Sequence, residues 1–218
     1  MKKIFFILVI ILFPVVLFSA SKKKQSSSDL IFQVEEDDSS KQKNNSNGPF
    51  GLKMGMTLSQ ISKACNNMRP KQIEGDKYYV YPVKTHPLFK SYIAFVDENE
   101  GLYCLQAETD QIHTRDYGIE VKDAFSEIKD RVSKTYGEPK MIDKIDPKSW
   151  LTSDSSWLLA VGNGARIYAA IWDYNLVDDL ERVSINVSAN HIWYYGIVTL
   201  EYDFKNKLIV EDLQDDVF

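Results

Sequence analysis

The residues of this 218-residue chain that could do covalent or metal chemistry are few: two cysteines, three histidines and some clustered carboxylates. Cys65 and Cys104 lie in the same stretch of alternating helix and strand character. In a chain that opens like an exported one, two lone cysteines predict a disulfide between them. The alternatives are two buried free thiols or a reactive cysteine; burial among apolar neighbours raises a thiol pKa and makes it inert. His86, His113 and His191 have no second His, Cys or paired carboxylate at metal-ligand spacing. Ser59 and Ser126 are not in a G-x-S-x-G elbow. Asp178, Asp179 and Glu181 read as an acidic hairpin loop, and Gly162-Asn163-Gly164 as a turn rather than a phosphate cradle, because no helix follows it. No catalytic residue, metal ligand or cofactor is assigned.

Two similar stretches position the rest. Phe50–Ile61 reads FGLKMGMTLSQI and Tyr117–Ile128 reads YGIEVKDAFSEI. Aligned without a gap, they match Gly51 to Gly118, Leu58 to Phe125 and Ile61 to Ile128. In the first, Thr57 and Gln60 form a capping box, and Met56 and Ile61 a hydrophobic staple. Leu58, Ile61, Cys65 and Met68 follow at helical spacing until Pro70. Strand-like runs come next at 78–83, 92–96 and 102–107. In the second stretch, the spacing predicts a helix over 123–135, capped by Asp123 and stopped by Tyr136-Gly137-Glu138-Pro139. Strands are expected at 140–145, 157–161, 166–172, 182–188 and 197–204, with Val198, Leu200, Tyr202 and Phe204 on one face of the last. The predicted fold class is α+β: two tandem units, each a short helix packed on an antiparallel β-meander, over residues 49–110 and 111–218.

Residues 1–21 carry Lys2 and Lys3, an apolar run from Ile4 to Phe18, and small residues at Ser19-Ala20-Ser21. That is the pattern of a signal peptide. The run is short for a bilayer span, although Lys22–Lys24 leave an uncleaved inner-membrane anchor as the alternative. Residues 22–48 are polar and read as a disordered tether. The expected location is the periplasm or the extracellular space, with membrane contact only through the N-terminal segment if it stays on. The chain carries a net charge of −5, and the acidic excess sits from Pro49 onward. This argues against a nucleic-acid partner, whose phosphates need cations.

The sequence Gly55-Met56-Thr57 with Ile61, and the Tyr136-Gly137-Glu138-Pro139 stop, resemble the helix-plus-meander domains of bacterial envelope proteins. These are the BamE/SmpA-like lipoproteins and the tandem-repeat fold of the β-lactamase inhibitor proteins. The chain departs from the first in lacking a lipid-attachment cysteine. The resemblance implies a non-enzymatic module that binds a protein partner; an inhibitor or immunity-type protein, and a hydrolase or ligand-binding protein, are the competing classes. Strand alternation cannot bury neighbouring rings such as Tyr78 and Tyr79 on one face. Tyr79, Tyr81, Phe89, Trp193 and Tyr194 are therefore the candidate interface residues, unless the two units cover each other with them.

Overall fold

The first helix begins where its cap says it should. In the computed structural model, which describes residues 48–215, the Thr57 hydroxyl accepts from the Gln60 backbone N–H at 3.4 Å, and Gln60 Oε1 accepts from the Thr57 N–H at 2.8 Å. This reciprocal pair satisfies two orphan donors and starts α1 (Leu58–Ala64), which buries Ile61. The expected export segment and nearly all of the tether lie outside the described residues.

The second helix departs from expectation at its start. α2 spans Ile119–Tyr136, and its N-cap is Gly118 at φ 65, not Asp123. Val121, Phe125, Ile128 and Val132 form one buried stripe with spacings of four, three and four residues, so the apolar face already begins in the first turn. The stop holds: Gly137 at φ 81 donates its N–H to the Ser133 carbonyl at 2.9 Å.

The strands are β1 (Lys71–Glu74), β2 (Lys77–Tyr79), β3 (Phe89–Asp97), β4 (Gly101–Thr109), β5 (Ile112–His113), β6 (Lys140–Ile145), β7 (Arg166–Trp172), β8 (Leu180–Asn190) and β9 (Tyr195–Phe204). All pairs are antiparallel, in the order β1-β2-β3-β4-β9-β8-β7-β6, with β5 added beside β9. The class is α+β. The chain runs inward from β1 to β4, then inward from the opposite edge, β6 to β9. The two runs meet at the β4–β9 pair, where Leu105 faces Tyr202 and Ala107 faces Leu200. Both halves enter one continuous sheet. One core cluster holds Ile61 and Cys65 together with Phe125, Ile128 and Val132.

A further helix stands where a strand was expected. Residues 157–161 belong to α3 (Trp157–Gly162), and Gly162-Asn163-Gly164 ends it instead of turning a hairpin. A five-residue apolar run carries no period that separates a buried strand from a buried helix. What decided it here is the serine-rich approach: Ser153 accepts from the Ser155 N–H at 3.2 Å and shapes a 3-10 turn that feeds the helix. The last helix, α4 (Lys207–Asp215), packs Val210 beneath Tyr103 and Cys104.

Two tryptophans fix the ends of α2. The fully buried Trp157 ring lies against Gly118, with Lys122 Nζ 4.6 Å from its centroid. Trp172 Nε1 donates to the Gly137 carbonyl at 2.7 Å. A methyl group on Gly118 would lie 2.1 Å from Trp157 Cε3, on a left-handed backbone. Gly118→Ala is therefore expected to cost about 3 kcal/mol, combining backbone strain with overpacking. Gly164→Ala, at φ 69 with open space around it, should cost only about 1 kcal/mol of backbone strain. Urea unfolding of the two variants checks the difference.

Candidate functional site

The cysteines lie on opposite faces of the sheet and are free. Cys65 follows α1 and packs in the core under the helices. Cys104 sits on β4 beside Leu105, and successive strand residues point to opposite faces. Leu105 goes to the helix-covered core, so Cys104 goes to the other face, with Phe95, Tyr103 and Val210. A bulge opposite Phe95–Val96 inserts Tyr103 and returns Leu102 to the helix side. The expected Cys65–Cys104 disulfide is not formed, because the sheet itself separates the two thiols. The polar residues at Gln106 and Glu108, two and four positions on, are the signal that Cys104 faces away from the helices.

Burial disfavours the thiolate at both cysteines. Burial pushes Cys65 up, partly offset by a hydrogen bond from the Tyr81 backbone. Burial pushes Cys104 up much further, and the charges of Glu201 and Asp203 add to it.

Cys104, Glu201 and Asp203 bring three metal-ligand atoms within 4.8 Å of one another. Cations of the protein already fill that space. Asp203 accepts from Arg182 Nε at 2.8 Å and from Lys207 Nζ at 2.6 Å. Glu201 accepts from Gln106 Nε2 at 2.5 Å and lies 3.5 Å from Lys207 Nζ. Burial alone would raise the Asp203 carboxyl and lower the Lys207 ammonium. Their contact, with Arg182 assisting at Asp203, wins and moves both the other way. The arrangement is a charge network that pins α4 across β9. The sequence placed Glu201 and Asp203 together on the second face; it did not identify Arg182 or Lys207 as their partners.

The aromatic candidates separate. Tyr79 closes β2, 38% exposed, and Tyr81 follows it, 41% exposed. Phe89 turns inward: its ring is 6.0 Å from Phe50, 5.8 Å from His86 and 6.2 Å from Tyr92. Trp193 and Tyr194 stand at the β8–β9 turn, 69% and 51% exposed, with Ile192 beside them. That turn is held tightly. Asn190 Oδ1 accepts from the Ile192 and Trp193 N–H groups at 3.1 and 3.2 Å. Tyr194 takes a left-handed φ of 52, and its carbonyl accepts from the Thr114 N–H at 3.0 Å. β5 braces the same turn by pairing His113 with Tyr195.

A cleft missed by the sequence reading opens on the helix-covered side. Phe50, Phe89, Tyr136 and Tyr202 line it, with Ile128, Val132 and Leu200, and it holds about 170 Å³. His86 and Arg131 also border it. His86 Nδ1 accepts from the Leu88 N–H at 3.3 Å. Burial, then the nearby Arg131 charge, lower the His86 pKa. His113 and His191 stand apart from it, on β5 and in the β8–β9 turn. No protein family, curated protein or solved structure matches the chain.

Two outcomes follow from the sheet's second face. Unfolding without reductant should expose two thiols to iodoacetamide, so intact mass should rise by two adducts; a bridged protein would gain none. Asp203→Asn should destabilise the protein by about 3 kcal/mol at neutral pH, since it strands two cations over a buried site. The held-down Asp203 carboxyl contributes stability above its unfolded value of about 3.9. That contribution is lost as pH falls through the lower folded value. Urea midpoints of the wild type and Asp203→Asn should therefore converge in acid.

Proposed function

We propose that this is an exported bacterial protein of the periplasm or extracellular space that works as a non-enzymatic protein-binding module. The observation that carries the reading is the rigid display of Trp193 and Tyr194 at the β8–β9 turn. Large apolar rings in water are unfavourable unless covered in use. Here the turn's own hydrogen bonds and a left-handed backbone hold them outward. A backbone already held in place loses little freedom on binding, and Trp and Tyr dominate interface energetics. The buried, raised thiols and the cation-filled carboxylate cluster are poor catalytic groups, which favours binding over hydrolysis.

The module is built, in this reading, from two tandem halves. Its supports are the mirrored strand order about the β4–β9 pair, the left-handed Gly51 and Gly118, and the burial of Ile61 with Ile128 and of Cys65 with Val132. The matched rings differ: Phe50 packs inward, whereas Tyr117 is exposed. The export assignment rests on the Lys2-Lys3 and Ile4–Phe18 pattern.

Cross-linked recovery of the tagged full-length protein from its native cells should yield one near-stoichiometric partner. The double variant Trp193→Ser, Tyr194→Ser should lose that partner by at least about tenfold, as expected for interface anchors. Its melting temperature should stay near wild type, because exposed substitutions cost little. Equal recovery by both proteins would refute the docking role of the turn.

A further inference from the structure

We propose that the aromatic cleft between α2 and the segment preceding α1 is a binding site for a small aromatic carboxylate. The cleft's shape, walls and hydrogen-bonding groups each point to that class.

The cleft is open to solvent and holds about 170 Å³, the scale of the roughly 150 Å³ that accepts a benzene ring in an apolar protein interior. The walls are rings set edge-to-face: Phe50 lies 6.0 Å from Phe89 and 5.9 Å from Tyr202, at 83° and 87°. Such walls present faces and edges to an incoming ring in the geometry aromatic pairs prefer. Phe50 reaches this position on a left-handed backbone of φ 53, a conformation rare for a bulky residue. Strain of this kind gathers at binding sites.

The polar side chains that line the cleft, His86, Arg131, Thr135, Tyr136 and Tyr202, can all donate. Tyr202 is largely buried, and it lines the cleft together with Tyr136. Burial holds that phenol protonated, as it does Tyr136, whose pKa is pushed up to about 12. Both remain O–H donors. Arg131 meets Glu127 through Nε and Nη2, at 3.3 and 2.9 Å, which leaves Nη1 free to donate. His86 uses Nδ1 as an acceptor, so its other ring nitrogen carries the proton. No carboxylate lines the cleft. An apolar slot with donors and one guanidinium suits a ring that carries an anionic acceptor group. The site is independent of the Trp193–Tyr194 turn and survives or fails separately from it.

Sodium 3-phenylpropanoate is the probe, titrated into full-length protein with labelled Ile, Leu and Val methyl groups. The expected result is a saturable shift at Ile128, Val132 and Leu200, with a Kd of about 1 mM or tighter for a ligand of this size. Arg131→Gln and Tyr202→Phe should each weaken binding about tenfold, the scale of one charge-assisted or buried hydrogen bond. Both should fold: Arg131 is more than half exposed, and Tyr202→Phe keeps the ring and removes only its hydroxyl. Neutral 3-phenylpropan-1-ol should bind more weakly than the acid. An absence of saturable shifts well above the expected Kd would overturn the proposal. So would equal binding of the alcohol, with neither substitution having an effect.

Discussion

The pairing of β4 with β9 at the centre of the sheet is the constraint on which the remaining structure depends. Each cross-strand pair there commits two side chains to one face, and successive pairs alternate between the faces. Leu105 with Tyr202, and Ala107 with Leu200, go to the helix-covered core. Cys104 with Asp203, and Gln106 with Glu201, go to the other face. The same alternation forbids the cysteine bridge, gathers the charge network under α4 and supplies the aromatic floor of the cleft. A one-residue slip would move all of these to the wrong side.

α2 is the element through which the core responds to that sheet. Its apolar stripe would pack against many surfaces, so stripe alone does not set its place. Trp157 against Gly118 and Trp172 at Gly137 hold its two ends. With both ends pinned, the middle of the helix lies over β9 and β8. The cleft opens beside Ile128, Arg131 and Val132 of that helix.

The exposed turn and the open cleft present their rings differently. At the β8–β9 turn, local hydrogen bonds hold rings out in water. In the cleft, rings from four separate segments of the chain line a recess beside the sheet. The charge network around Asp203 differs from both, because its members satisfy one another.

What the sequence determined by itself is local. The Thr57–Gln60 box, the Gly137 stop and the alternation of Val198, Leu200, Tyr202 and Phe204 all stand as read, because each depends on residues within a turn or two. The reading failed where the decision was not local. The 157–161 run was equally apolar as strand or helix. The start of α2 moved to Gly118, where a left-handed cap is stabilised by a ring from a distant segment. The Cys65–Cys104 bridge was misread because only the packing of α1 on the sheet decides which face Cys65 meets, and Cys104 faces the other way. Phe89 was read as a surface ring and turned inward, since its neighbours come from Phe50 and His86. The cleft was invisible for the same reason: its walls lie at positions 50, 86–89, 128–136 and 200–202, and only tertiary packing brings them together.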